Sequence, residues 1–444
     1  MLRFIKSLYL EPPFFLAYGL VIILFIVSYL VPELFGITQT LLLVLFGFTL
    51  LDVIILYSLK SGIQGERICP EKLSNGDENP ITISLKNNYS FAAKTTIIDE
   101  IPIQFQKRDF SIVQKLKPSS SEHFNYTLRP TERGEFWFGK LLVYAQSPLR
   151  LVARRFNLSE KQLVPSYPSY IQLKKFDLIA ATYRLNELGI KKVRRIGHTM
   201  EFEQIKEYVI GDDVRTINWK ATAKRNQLMI NQFQDQKSQP IYSIIDKGRV
   251  MQMPFNGLSL LDYAVNASLV ISNVALKKQD RAGLFTFSKK IENNVVASRR
   301  GMQMNHILET LYNIKTDFKE SDYGRLYAHI NRNITQRSLL FLYTNFETLD
   351  GLDRQFAYLK GIARSHLLVV IFFKNSELTN FTKEPASDVK AIYNKVIAEK
   401  FLYEKKLIVN QLKKYGIMSI LTTPENLTID TINKYLEVKA RGLI

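Results

Sequence analysis

Two apolar runs near the N-terminus leave this part of the chain one plausible architecture. Phe14 to Val31 reads FFLAYGLVIILFIVSYLV without a charge, and Ile37 to Leu59 reads ITQTLLLVLFGFTLLDVIILYSL with Asp52 as its only charge. Each has about the 20 residues needed to cross the hydrocarbon core of a bilayer. Pro32-Glu33-Leu34-Phe35-Gly36 between them is too short for anything but a helical hairpin, so both ends emerge on one side. Arg3 and Lys6 precede the first run, Lys60, Arg67 and Lys72 follow the second, and the linker has no basic residue. The positive-inside rule then places both ends in the cytoplasm. A cleavable signal peptide is the competing reading of the first run. Its bulky tail lacks a small-x-small cleavage site, and a second run follows at once.

Asp52 lies about eight residues, roughly 12 Å at helical rise, inside Lys60. An ionisable group at that depth is costly and is expected to face protein rather than lipid. Two readings follow: a protonated carboxyl hydrogen-bonded across the hairpin to Thr38 or Tyr18, or a contact between copies of the chain.

Residues 61–165 change character. ITISLKNN from Ile81, TTIIDEIPI from Thr95 and HFNYTLRP from His123 alternate apolar and polar residues between turn-rich pieces, which predicts an antiparallel, immunoglobulin-like β-sandwich. Arg133-Gly134 reads as a hairpin turn. Phe136, Trp137 and Phe138 read as strand residues, with core packing the ordinary expectation and an aromatic ligand patch the alternative.

Residues 166–239 hold the chain's densest run of chemically committed side chains. Gly211-Asp212-Asp213 forms an acidic turn, for which Gly211 can supply a positive φ. Arg215 stands two places beyond Asp213, within reach of a charge-assisted pair. Trp219, Lys220, Lys224 and Arg225 follow, and Lys191-Lys192 and Arg194-Arg195 lie upstream. With a formal net charge of +19 for the chain, such a basic stretch suits an acidic protein, anionic lipid or nucleic acid. The charge comes without helix-turn-helix or zinc-finger spacing, which argues against sequence-specific reading of DNA.

From residue 240 to 444, strands and helices alternate. Strands are expected at Ile241, Arg281, Ser338 and His366. The helix from Leu258 to Lys278 carries Leu261, Ala264, Val265, Ser268, Leu269 and Ser272 on one stripe. This order predicts a parallel sheet covered on both faces, with ligands beyond the carboxyl ends of its strands, where Asp246 falls.

The pattern EFEQIKEYVIGDDVRTINWKATAKRNQLMINQF, the upstream RPTERGEFWFG and SPLRL, and the strand ending in Asp246 together resemble the bacterial domain-of-unknown-function fifty-eight family. The resemblance runs from about Tyr126 to Phe373. It implies a transmembrane hairpin, a β-sandwich and a C-terminal von Willebrand factor A-like α/β domain, together with an association with MoxR-type AAA ATPases. A-like domains carry Asp-x-Ser-x-Ser after the first strand, and a threonine and a second aspartate complete a magnesium site. Here that place reads Asp246-Lys247-Gly248-Arg249-Val250, and the second aspartate position is Asn345. The resemblance therefore implies a degenerate site without metal. Asp246 is then expected to pair with a basic neighbour: Lys247, Arg249 or the Lys224-Arg225 cluster.

An enzyme is the weaker expectation. The five histidines, His123, His198, His306, His329 and His366, include no HxH or HxxxH pair, and the single cysteine, Cys69, has no thiol partner for zinc or a disulfide. No GxGxxG, GxSxG or GxxxxGK[ST] occurs. Asp212 and Asp213 with His198 offer acid and base in principle, but adjacent carboxylates on a turn more often cap or pair. The expected function is that of a membrane-tethered scaffold or adaptor docking a cytoplasmic protein, with no cofactor and no evident small-molecule substrate. A binder of anionic lipid or nucleic acid is the alternative.

Overall fold

The computed structural model describes residues 2–173, 201–210, 212, 214–234, 238–385 and 388–443. The chain divides into two compact units, Met1–Tyr167 and Pro168–Ile444.

After a short helix, Leu2–Ser7, and a short strand, the first unit carries two long helices, Pro12–Leu30 and Phe35–Tyr57, joined by a short 3-10 turn, Pro32–Leu34. Both are long and apolar enough to cross a membrane. The first opens on Pro12-Pro13, whose missing N–H groups would be unpaired at a helix start anyway. The β region that follows has eleven short strands, from β1 (Leu8–Leu10), which precedes the helices, through β2 (Ile63–Ile68), β3 (Leu73–Ser74), β4 (Asn79–Asn87), β5 (Ala93–Asp99), β6 (Ser111–Leu116), β7 (Ser121–Leu128), β8 (Gly134–Phe138), β9 (Leu141–Gln146) and β10 (Val152–Ser159) to β11 (Gln162–Tyr167). They form one five-stranded sheet, β1-β10-β9-β5-β6, and two three-stranded sheets, β2-β4-β7 and β3-β11-β8.

Strict alternation decides how these sheets pack. In β5 every second residue from Ala93 to Asp99 is buried, and β8 buries Gly134, Phe136 and Phe138 while turning Trp137 outward. Ile83 and Leu85 of β4 meet Ile97, Val143 and Val152 of the five-stranded sheet in one core. Leu73, Ile81, Leu128, Phe136, Phe138 and Val164 form a second. Two of the three aromatics at 136–138 are thus core, and Trp137 stands beside Leu163 on a neighbouring strand with much of its surface exposed.

The second unit holds an antiparallel ribbon, β12 (Glu201–Glu207) against β13 (Met229–Gln234), whose head carries a 3-10 turn, Val214–Thr216, and a helix, Trp219–Arg225. After it come β14 (Pro240–Asp246), the small ribbon β15 (Pro254–Phe255) and β16 (Leu258–Ser259), β17 (Arg281–Phe287), β18 (Ile291–Ser298), β19 (Leu339–Tyr343), β20 (Leu367–Phe373) and β21 (Met418–Thr422). Six of these form one sheet in the order β18-β17-β14-β19-β20-β21. All its neighbours are parallel except β17 and β18, so the expected parallel sheet is a mixed one with an antiparallel edge. The connection from Phe287 to Ile291 is far too short for a crossover, so the chain folds straight back.

Helices cover both faces. Leu260–Lys277, Gln303–Tyr312 and Leu427–Ala440 close one core. Tyr323–Asn333, Leu349–Ser365 and Val389–Lys414 close the other. All six residues of the expected 261–272 stripe are buried. Ser259 and Asp262 form a reciprocal capping box at that helix's start, satisfying two backbone N–H groups that would otherwise lack partners. Between these cores, every residue of β14 is buried, as a central strand requires.

Candidate functional site

Asp246 ends β14 beneath the carboxyl edge of the sheet and has no exposed surface. Its Oδ1 accepts the Gly248 N–H at 2.8 Å and the Ser321 hydroxyl, and its Oδ2 accepts the Thr344 hydroxyl at 2.8 Å. Thr344 Oγ1 also lies 2.7 Å from the buried Tyr323 hydroxyl. Burial pushes the Asp246 carboxyl above its usual range, against the opposing pull of these hydrogen bonds. Burial beside Asp246 likewise holds the Tyr323 phenol well above its ordinary value.

This network corrects the expected pairing of Asp246 with a cation. Lys247 forms an ion pair with Glu292, while Arg249 is exposed at the rim above. The acid is held by hydroxyls instead, and Gly248 makes the arrangement possible. A Cβ at 248 would lie 2.2 Å from Ser321 Oγ and 2.8 Å from the Lys319 carbonyl. Ser321 thus occupies the space that a side chain at 248 would need.

Asn345, the other residue singled out at this edge, is almost fully buried. Its amide nitrogen donates to Glu347 Oε1 at 2.5 Å, and its oxygen accepts from Lys405 Nζ at 3.3 Å. Lys405 is itself buried, donating to the Phe373 carbonyl at 2.6 Å and lying 3.4 Å from Glu347. Burial lowers the Lys405 ammonium's pKa, and the Glu347 charge opposes that shift.

A magnesium ion does not fit this donor set. Asp246 supplies the one buried carboxylate, already engaged by three donors, Asn345's oxygen faces an ammonium, and neither Gly248 nor Val250 has a side-chain oxygen. Among the described residues, no group of three or more His, Cys, Asp or Glu side chains is placed to hold a metal. Above the floor opens a cleft of about 250 Å³, with Arg249, Lys319 and Arg354 among its walls and Glu320 and Glu347 beside them.

The motif residues 211–220 lie elsewhere, at the head of the β12–β13 ribbon. Asp212 accepts the Val209 N–H at 3.0 Å and pairs with Lys206 at 3.1 Å, so it fastens the turn, and these contacts, the Val209 hydrogen bond foremost, lower its pKa. Arg215 sits in the 3-10 turn; its expected partner Asp213, and Gly211, lie outside the described residues, as do His198 and the 191–195 basic cluster. Asn218 caps the Trp219–Arg225 helix by accepting the Ala221 N–H at 3.0 Å, and it donates to Asn231 across the ribbon at 2.9 Å. Trp219 and Lys220 are both exposed.

Asp52 proves to be a joint. Its Oδ1 accepts the Ser147 hydroxyl and its Oδ2 accepts the N–H groups of Leu151 and Val152, each at 3.0 Å. The two hairpin partners expected for it are engaged elsewhere: the Tyr18 hydroxyl lies 3.3 Å from Thr49, and Thr38 donates to the Leu34 carbonyl. One turn on, Arg154 donates to the carbonyls of Leu56, Leu59 and Lys60 at 2.6–2.8 Å, and Tyr89 donates to Leu56 at 2.7 Å. The end of the second apolar helix is thereby fastened to the β region, with a cation at the end where helix carbonyls are unpaired.

Residues 204–378 match the family described as "Protein of unknown function DUF58". This stretch of the chain is similar to that family. A relative is the uncharacterized protein YeaD of Bacillus subtilis (strain 168), 26% identical over 271 residues, which are 58% of this chain and 63% of that protein. The chain's match therefore spans somewhat less than two thirds of the relative's length. Among solved structures, the CARDB domain of a Pyrococcus furiosus protein is 12% identical and covers 23% of this chain and 86% of its own, with a TM-score of 0.18. Proximal thread matrix protein 1 from the mussel byssus is 11% identical over 46% of this chain and 47% of its own, with a TM-score of 0.26. The DUF58 match takes in the motif ribbon, the Asp246 network and the cleft, and leaves the apolar helices and the first β region outside it.

Ser321, Thr344 and Tyr323 are the site residues that sequence reading missed. Thr344 had a signal, directly before Asn345 at a strand end. Ser321 comes from a loop 75 residues beyond Asp246, and nothing in its neighbourhood announces the contact.

Proposed function

We propose that this protein is a non-enzymatic scaffold, tethered to the bacterial inner membrane by a two-span hairpin, that docks a cytoplasmic protein partner. In this reading the first β region is an immunoglobulin-like sandwich and the C-terminal sheet an A-like domain. The partner implied by the family resemblance is a MoxR-type AAA ATPase. The observation that carries the proposal is the joint at Asp52 and Arg154. Five hydrogen bonds to the end of an apolar helix, from Arg154, Ser147, Tyr89 and two backbone amides, suit a part that must hold a fixed position on its anchor. The open cleft beyond Asp246 offers a docking surface whose floor is satisfied internally, so a partner engages it without a bridging ion.

Crosslinking in native membranes, from a photoreactive residue placed at exposed Val250, tests this reading. Recovery of a AAA ATPase supports it. Recovery of lipid alone, with no protein adduct, overturns it in favour of a surface binder.

A further inference from the structure

The head of the β12–β13 ribbon exposes side chains that a folded protein ordinarily covers. Ile210 is 96% exposed, Trp219 70%, Val214 62% and Val209 61%. They lie within the stretch that joins β12 to β13, so the topology gathers them at one end of the ribbon. On the other side, Met229 and Ile230 of β13 are buried, so this segment has a packed face of its own and leaves the head outside it. Lys220, Lys224 and Arg225 stand exposed on the adjoining helix, and none has an acidic partner among the described residues.

We infer that this head is a second membrane contact, seated on the surface of an anionic bilayer. Trp prefers the headgroup level, where its ring is in an apolar layer and its N–H is wet. Lysine and arginine beside it meet the negative potential of an anionic leaflet. An acidic protein would satisfy the same charges, but size favours the bilayer. Four apolar side chains fall short of the roughly 800 Å² per partner of a stable protein interface. A bilayer held nearby by the chain's own two apolar helices requires much less, because tethering turns weak attraction into a local equilibrium. The inference rests on reading those helices as a membrane anchor.

The chain has two tryptophans, so Trp137→Phe leaves Trp219 as the sole reporter. The full chain carrying this change would be reconstituted into phosphatidylcholine–phosphatidylglycerol bilayers, with and without bromine on the acyl chains. Trp219 emission is expected to shift to the blue and to lose most of its intensity in the brominated bilayer. Pure phosphatidylcholine, or Lys220→Gln with Lys224→Gln and Arg225→Gln, should abolish both effects. Equal emission in plain and brominated anionic bilayers overturns the inference. A shift that appears only on adding a protein partner does so too, and assigns the head to that partner. Flotation of the chain with vesicles separately reports the anchor: without it both readings fall, and with it only the ribbon is in question. Should Trp137→Phe misfold, an environment-sensitive probe at Ile210→Cys in a Cys69→Ser background gives the same readout.

Discussion

Asp52 accepts three hydrogen bonds, two of them from the backbone amides of Leu151 and Val152. Its replacement therefore depends on geometry more than on charge. Asp52→Asn can turn its oxygen to the Leu151 and Val152 amides and donate its NH₂ to Ser147, whose hydroxyl also accepts. Asp52→Leu leaves both amides unsatisfied, at about 1–3 kcal/mol for each buried donor. In detergent, the Leu variant is expected to lose several degrees of melting temperature while the Asn variant stays close to the parent; equal losses would show that the charge itself matters. Asp246 gives the opposite kind of test. Its folded-state pKa is raised, so the stability it contributes is full below the ordinary carboxylate value of about 4 and is lost as pH rises through the folded value. Asp246→Asn should flatten that decline in urea unfolding followed from pH 4 upward, with the difference from the parent growing as pH rises.

Among the elements, the ribbon head depends on local capping more than on burial. The helix Trp219–Arg225 has seven residues and none is buried, so little tertiary packing holds it. Such a short helix is marginal in isolation. Asn218 at its start and Asn226 in the left-handed conformation at its end close it on both sides. Asn218→Ala should cost about 1 kcal/mol locally, visible as faster amide hydrogen exchange in 219–225 with the protection of β14 unchanged. Loss of protection across the whole second unit would mean that the ribbon is integral to the sheet's stability. The C-terminal end of the second apolar helix is closed differently, by Arg154, whose contacts come from almost a hundred residues away.

At the scale of the whole molecule, the proposed topology is directly testable. With Cys69 replaced by Ser, a thiol at Glu33 should react with an impermeant reagent added outside intact cells, and one at exposed Ser121 should react only after lysis. The reverse pattern would invert the hairpin. Native Cys69 is itself a poor target, since partial burial pushes its thiol up to about 11. How much of this architecture was legible in advance differs between regions. The hairpin, the alternating strands of the first unit and the strand–helix order of the second all follow from period and length, which neighbouring residues express directly. The antiparallel edge at β18 was missed because IENNVVAS buries only Val295 and carries neither strict alternation nor a long apolar run.

The sequence by itself determined that the chain has two long apolar helices, a β region of short alternating strands, and an α/β region whose first strand ends in Asp246 and runs on into Gly248 and Val250, which carry no side-chain oxygen. These are local properties, set by side-chain pattern over one element. Only the tertiary structure decided what Asp52 and Asp246 touch. Their partners, Ser147, Ser321 and Thr344, stand 95, 75 and 98 residues away. Contacts at such separations depend on which loops the packed sheets bring together. A serine that closes a buried network has the same local sequence signature as one that faces water.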